Sequence, residues 1–289
     1  MPIIQPVIRP PSEADSFLLQ VTTGCSANSC TFCGAYLNKP FKVKSFDEIT
    51  RDIEHHARRH PGTRRVFLMD GDALVLQNER LIPVLQILNK ALPQLNRVSS
   101  YANGYNIIGR SLSELSELYD NRLRLIYIGL ESGAQSVLDR CLKRSTVQEM
   151  VAAVQYAAAA HIKSSVIVLL GLGGRAYSDV HVRETITALN QMQPRYLSFL
   201  SLMVIPGTQL HRDVMSGEFN ELNAQELLQE MHDIIEGLEL SGTIFRTDHA
   251  SNYLPLEGRF PQDKQRFLDS LKGAISGKIS LRPDMFRGL

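Results

Sequence analysis

Apolar and polar positions alternate in two rhythms along this chain. Short runs, several of them apolar throughout, predict strands over 17–22, 65–70, 97–101, 123–130, 164–171 and 196–204. Between them apolar residues recur at helical spacing. This predicts helices over 46–60, 79–92, 113–119, 134–142, 146–160 and 180–192, with two more over 224–240 and 262–275 beyond the last strand. Ser45 stands as an N-cap before the first helix, and Glu48 occupies the capping-box position. Pro83 fits only the first turn of its helix, where a missing N–H breaks no hydrogen bond.

Strand–helix alternation repeated along a chain predicts a parallel sheet. Strands apolar on both faces agree, because parallel sheets are covered on both sides. The pattern fits a doubly wound sheet as well as a full or partial barrel. In either, functional residues gather at the C-terminal ends of strands. The unusual residues stand there: Gly24-Cys25, Asp70-Gly71-Asp72, Ser99-Ser100, Glu131-Ser132-Gly133, the glycines of 171–174, and Pro206-Gly207-Thr208.

Composition removes several function classes. With 31 Lys and Arg against 30 Asp and Glu, the net charge is +1, so no electrostatic footprint for nucleic acid stands out. Trp is absent and aromatics make up 7%, which supplies stacking platforms poorly. No apolar run approaches the ~20 residues of a membrane span. The opening Met1-Pro2-Ile3-Ile4 lacks the pattern of a signal peptide. Four cysteines, three of them crowded together, do not form a disulfide framework, so a cytoplasmic metal or redox role is expected.

Those three are Cys25, Cys30 and Cys33, spaced C-x4-C-x2-C after the first strand. Close-spaced thiolates serve zinc or an iron–sulfur cluster. A structural zinc site wants four protein ligands, and no second pair follows; His55 and His56 lie on a predicted helix well downstream. Three thiolates on a cluster of four irons leave one iron open for chemistry. Cys141 has no close Cys or His in sequence and reads as a packed side chain.

The run Gly24-Cys25 to Cys30-Thr31-Phe32-Cys33 resembles the cluster loop of the radical S-adenosylmethionine (radical SAM) superfamily. That family usually shows C-x3-C-x2-C with an aromatic residue before the last cysteine. Phe32 fills that place, and the first interval here is one residue longer. The resemblance continues along residues 17–210. Gly71 and Asp72 stand where the family has a Gly-Gly-Glu-like turn for the SAM amine, with Asp in place of Glu. Glu131 and Ser132 are similar to the fourth-strand motif of the subgroup around oxygen-independent coproporphyrinogen oxidase, and Lys143 matches that subgroup's cation for the SAM carboxylate. Ser100 ends the third strand as a further SAM contact, with Tyr101 and Asn103 beside it as substrate candidates.

The resemblance implies a partial (β/α)6 TIM-like barrel with a C-terminal helical extension: a core over 1–210, and residues 211–289 packing on it rather than folding alone. It implies a [4Fe-4S] cluster on the three cysteines and SAM on the open iron. SAM would be cleaved reductively to a 5′-deoxyadenosyl radical that takes hydrogen from a small-molecule substrate. The electron would come from a one-electron donor such as flavodoxin or ferredoxin. The competing readings are a zinc- or iron–sulfur-binding electron-transfer or non-catalytic protein, and a radical SAM enzyme that modifies RNA or a peptide.

Two motifs stand apart. Gly171-Leu-Gly173-Gly-Arg-Ala176 fits the dinucleotide fingerprint, but the next strand ends without the acidic residue that fingerprint needs. The segment 245–256 crowds polar and aromatic residues between two predicted helices. His249, Asn252 and Tyr253 are its substrate candidates, and His249 and Tyr253 the candidates for proton transfer. A capped loop that merely packs its Tyr and His fits this segment equally well.

Overall fold

The apolar runs do become strands, and the helical patterns fall between them. The computed structural model describes residues 3–288. In chain order the elements are β1 (Phe17–Leu19), β2 (Thr22–Thr23), β3 (Lys42–Val43), α1 (Phe46–Arg59), β4 (Arg65–Leu68), α2 (Asn78–Ala91), β5 (Arg97–Tyr101), α3 (Gly104–Ile108), α4 (Leu112–Asp120), β6 (Leu123–Glu131), α5 (Gln135–Arg140), α6 (Val147–Ala159), β7 (Lys163–Leu170), α7 (Gly174–Met192), β8 (Tyr196–Ser201), α8 (Gln209–Ser216), α9 (Ala224–Gly237), β9 (Ile244–Arg246), β10 (Glu257–Arg259) and α10 (Lys264–Ile275). Contacts group them into two units. The first is the chain up to Asn28 with Ala35–Ile128 and Ala152–Ser164; the second is Ser29–Gly34, Gly129–Val151 and the chain from Ser165 on.

In the first unit β1, β4, β5 and β6 pair in parallel, with Leu18 opposite Phe67, Val66 opposite Val98 and Ser100 opposite Ile126. Val66, Phe67, Leu68, Val98 and Ile126 are fully buried, and α2, which starts at Asn78 and so carries Pro83 inside the helix rather than in its first turn, adds Leu81, Leu85 and Leu88. Each such side chain contributes about 1.5–3 kcal/mol by leaving water. The predicted capping box of α1 forms in both directions between Ser45 and Glu48. That helix buries Ile49 and Ile53 and packs on α2 and β1.

In the second unit β7, β8 and β9 pair in parallel, and β10 pairs antiparallel to β9. α9 packs on both α7 and α10. Phe199 of β8, Phe245 of β9, Phe260 and Phe267 of α10 are fully buried. Their ring centroids lie 5.0–5.7 Å apart, three of the four pairs edge-on.

Four local differences from the sequence pattern have physical causes. The first strand ends at Leu19, because the Gln20 amide turns to hydrogen-bond Ile4 and the next residues, Thr22 and Thr23, pair with β3. α7 begins at Gly174 rather than near residue 180. Its first turn is tied to α9 by the Arg175–Glu226 ion pair and by a Ser178–Glu230 hydrogen bond, which periodicity does not reveal. The sixth predicted strand, β8, stops at Ser201. The segment near 245 starts as a strand, β9, because its backbone pairs with β8.

Candidate functional site

Gly24 precedes Cys25 in a left-handed conformation, φ +71°, and a side chain there would stand 2.6 Å from the Lys39 carbonyl oxygen. Both constraints call for glycine. The turn after β4 is bound to this point: Gly71 N–H donates to the Gly24 carbonyl at 3.0 Å, and Gly24 N–H donates to Asp70 Oδ2 at 3.1 Å. Gly71 lies against Cys25 so closely that an added Cβ would be 2.6 Å from the cysteine Cβ and 2.9 Å from its Sγ. The sequence placed Cys25 and Gly71 in one site, and the first unit brings them into contact.

The two acids of this turn are both internal. Asp70, itself left-handed at φ +69°, is wholly buried. Its carboxylate pairs with Lys39 Nζ at 2.8 Å and accepts from Gln20 Nε2 at 3.1 Å. Burial pushes the Asp70 carboxyl upward, and the Lys39 ammonium opposes that rise. Asp72 is also fully buried; it accepts from Tyr105 Oη at 3.1 Å and from the Ser26 hydroxyl and the Asn106 amide. The Arg110 guanidinium holds the following residues, donating to the Leu74 carbonyl at 3.1 Å and the Leu76 carbonyl at 2.5 Å. Ser100 Oγ donates to the Tyr101 carbonyl at 2.8 Å, and the Tyr101 ring stands edge-on to Phe67 at 5.1 Å. Asn103 reaches Tyr105 Oη at 3.3 Å.

In the second unit Cys30 and Cys33 frame a turn closed by Cys33 N–H to the Cys30 carbonyl at 3.1 Å. Thr31 anchors it, donating N–H to the Cys141 carbonyl and accepting from Leu210 N–H, each at 3.0 Å. Phe32 packs on an apolar cluster that includes Ala134, Val137, Cys141, Leu172 and Leu210. The aromatic place before the last cysteine is thus a packing anchor for the turn. Cys25, Cys30 and Cys33 are half-buried, whereas Cys141 is buried and its thiol is pushed up to about 12, chiefly by desolvation. Cys141 is the packed side chain that the sequence suggested.

At the end of β6, Glu131 is left-handed at φ +61°, an uncommon conformation for a non-glycine residue. Its carboxylate folds back over Gly129, where an added Cβ would collide with Oε1, and pairs with Lys143 Nζ at 3.1 Å. Two predicted SAM contacts are therefore partners. Ser132 is fully buried; its Oγ accepts from Ala134 N–H at 3.0 Å and meets His181 Nδ1 at 2.8 Å. Gly133 N–H donates to Thr185 Oγ1 at 2.8 Å. His181 stands 3.6 Å from Glu230, which accepts from Gly171 N–H at 2.5 Å and from the Ser178 hydroxyl. Desolvation depresses His181 to about 4 and lifts Glu230 to about 7.

The segment after β9 is held from within. Asn252 is fully buried; its amide donates to the Phe199 and Thr247 carbonyls at 2.7 and 3.0 Å, and its Oδ1 accepts from Ser201 Oγ at 2.9 Å. Tyr253 donates its hydroxyl to Asp284 at 2.8 Å and stacks under Arg287. Arg282 clasps the His249 and Asn252 carbonyls at 3.0 Å each. His249 Nδ1 accepts from Ser251 N–H at 3.2 Å and meets Ser251 Oγ at 2.9 Å. The neutral ring therefore carries its proton on Nε2. Burial lowers the His249 pKa and favours that neutral form.

Sequence reasoning did not find Ser26, Tyr105, Asn106, His181 or Glu230. Ser178, His181 and Thr185 lie at helical spacing, a polar face on α7 that signals an inward network. Nothing local marks Asn106 or Glu230. In each unit the donors suit an iron–sulfur cluster: half-buried Cys25 with Gly71 allowing close approach in the first, half-buried Cys30 and Cys33 in the second.

A family model, the radical SAM superfamily, matches residues 19–189. No curated protein matches the chain in sequence. Solved structures match it in fold. Coproporphyrinogen III oxidase (HemN) from Escherichia coli, a radical SAM enzyme, has TM-score 0.57 at 12% identity, covering 76% of this chain and 51% of that one. Methylornithine synthase (PylB) has TM-score 0.55 at 14% identity, covering 91% and 81%. The radical SAM methyltransferase TsrM from Kitasatospora setae, with cobalamin and [4Fe-4S] cluster bound, has TM-score 0.54 at 15% identity, covering 70% and 39%. The chain thus spans about half of HemN and two fifths of TsrM. The likeness carries the fold, an α/β architecture of the TIM-like partial-barrel class expected from the sequence.

Proposed function

The chain belongs to the radical SAM superfamily, an enzyme family, and from that premise we propose that Cys25, Cys30 and Cys33 hold a [4Fe-4S] cluster whose fourth iron binds SAM, for hydrogen abstraction from a small molecule. The observation that carries the reading is the three-thiol loop itself, with Phe32 packed as its anchor and Gly71 pressed on Cys25. When bound, cluster and SAM supply reductive carbon–sulfur cleavage and a 5′-deoxyadenosyl radical; the protein supplies position and dryness.

The residues divide that work. Glu131 and Lys143 offer paired charges to the amino-acid end of SAM. Gly71 lets backbone approach the cluster, and Asp72 holds Ser26, next to Cys25, in place. Ser100 and Ser132 keep the ends of β5 and β6 in shape. His249 presents an Nε2 proton for a substrate hydrogen bond or proton transfer. Tyr101 and Asn103 are the substrate candidates of the first unit; in the second, Asn252, fully buried and bonded to Ser201 and to the Phe199 and Thr247 carbonyls, and Tyr253, bonded to Asp284, build the loop that carries His249. Residues 1–210 act as the core, and 211–289 as an extension whose α9 packs on α7.

A near-neutral charge favours a small substrate over RNA. The electron donor is a small carrier of the flavodoxin or ferredoxin kind. No helix among the described residues is long and apolar enough to cross a membrane, and the setting proposed is cytoplasmic.

Anaerobic reconstitution tests the reading. The wild-type protein should bind about four irons per chain, show a reduced-cluster EPR signal that SAM alters, and release 5′-deoxyadenosine under strong reductant. Alanine at Cys25, Cys30 or Cys33 should abolish the cluster, whereas Cys141→Ala should keep it. Zinc in place of iron, or no SAM cleavage, would overturn the assignment.

A further inference from the structure

The turn Glu131–Gly133 is held from behind by groups that take no part in the function just proposed. Ser132 and Gly133 are anchored on α7, through His181 Nδ1 at 2.8 Å and Thr185 Oγ1 at 2.8 Å. α7 approaches so closely that a Cβ on Gly133 would collide with the Glu184 carbonyl oxygen. Behind His181 stands Glu230 of α9, with Oε1 3.6 Å from Nε2. Every one of these anchoring side chains is buried, with His181 and Thr185 at 0% exposure and Glu230 at 2%.

The hydrogen bookkeeping gives this arrangement a direction. Glu230 accepts two donors, Gly171 N–H and the Ser178 hydroxyl, as a carboxylate does. Oε1 is beyond hydrogen-bond distance of Nε2, which is buried without a hydrogen-bond partner, so Glu230 acts on the ring by charge alone and favours the tautomer with its proton on Nε2. Nδ1 is then an acceptor, so the Ser132 hydroxyl donates to it while its oxygen accepts from Ala134 N–H. Ser132 is thus satisfied wholly from inside the protein, and it does not need to touch a ligand to matter. What it fixes is the backbone on which Glu131 sits, and Glu131 needs fixing because its φ of +61° is unfavourable for a side-chain-bearing residue.

Resting on the radical SAM reading above, we infer that His181, its Nε2 facing Glu230, is a positioning residue for SAM: through Ser132 it holds Glu131 in its left-handed conformation, against Lys143, and so sets the affinity for SAM. It contributes nothing to the reacting atoms.

Two substitutions separate this role from simple packing. In His181→Asn the new amide can stand where Nδ1 stands and keep the Ser132 hydrogen bond; in His181→Leu the new side chain cannot. On reconstituted holoenzyme, SAM titration of the reduced-cluster EPR signal gives the dissociation constant. His181→Leu should raise it about 10-fold, the effect of losing one buried hydrogen bond, with iron content unchanged. His181→Asn should stay within about 3-fold of wild type, and the isosteric Glu230→Gln should fall between them. In the apoprotein, amide exchange over 131–134 should quicken in His181→Leu and not in His181→Asn, a readout that needs no cofactor. Wild-type affinity in His181→Leu, or equal losses in His181→Leu and His181→Asn, would overturn the inference. If His181→Leu does not fold, Glu230→Gln with wild-type affinity and wild-type exchange would overturn it. A wild-type protein that takes up iron but ignores SAM would instead sink the radical SAM reading.

Discussion

Asp70→Asn isolates the charge that ties the β4 turn to the cysteine loop. Asparagine is isosteric with aspartate and tolerates the left-handed backbone at φ +69°. The substitution therefore adds no backbone strain; it removes the negative charge and turns one acceptor oxygen into a donor. Lys39, only 4% exposed, loses a partner 2.8 Å away that is 0% exposed. One amide oxygen must then serve Lys39, Gly24 N–H and Gln20 Nε2, where two carboxylate oxygens did so before. Breaking a buried pair costs about 3–5 kcal/mol, because the remaining charge stays uncompensated. Lys39 keeps two carbonyls, Ile4 and Pro6, both at 2.7 Å, so the lower end applies. At about 3 kcal/mol the apoprotein should melt about 6–12 °C lower. Urea titration of Asp70→Asn, Lys39→Met and the double variant closes a double-mutant cycle. The double variant should be more stable than the sum of the single losses predicts, by about 2 kcal/mol. A single loss below about 1 kcal/mol, or strict additivity, would refute the claim that this pair holds the turn.

Other expectations follow from distances already given. Gly71→Ala should overpack Cys25, lowering apoprotein stability by about 1–3 kcal/mol and lowering iron per chain on reconstitution, read by iron assay; wild-type iron content would contradict the contact. Arg282→Ala, which removes two hydrogen bonds from a charged donor to the His249 and Asn252 carbonyls, should cost about 1.5–3 kcal/mol and speed amide exchange over 249–253. His181 is kept neutral by burial, with a folded pKa of about 4 against 6.5. Its contribution is present above pH 6.5 and is lost as pH falls toward 4. Relative to His181→Asn, the wild type should lose on the order of 3 kcal/mol over that window. Parallel pH–stability curves for the two proteins would rule this out.

The strands β4, β6 and β7 were legible because each carries an apolar run whose burial is decided locally, whereas β5, Arg97-Val-Ser-Ser-Tyr, was legible only by its place between two helical patterns. α1 was legible from its cap. The start of α7 was not: the run Gly174-Arg-Ala-Tyr-Ser lacks apolar periodicity, and the turn stands on contacts with α9 residues far along the chain. β9 and β10, three residues each, exist through pairing rather than propensity, and α3 and α8 were missed as short helices inside connecting stretches. The site divides in the same way. Thiol spacing is covalent, so Cys25, Cys30 and Cys33 announce themselves. What surrounds Asp72 and Ser132 is not covalent. Ser26 meets Asp72 across 46 residues and His181 meets Ser132 across 49, pairings that no local pattern encodes.

Glu230 sits on α9, outside the matched family region of residues 19–189. Its carboxylate caps Gly171 and steadies α7, both inside that region. The matched region is therefore not a portable cassette. Grafting a different C-terminal segment onto it, as one would swap a modular substrate lid, would strip the buried Gly171 N–H and the half-buried Ser178 hydroxyl of their acceptor. Any exchange of that segment among relatives has to carry an acid at this position, or replace the whole inward polar face of α7 along with it.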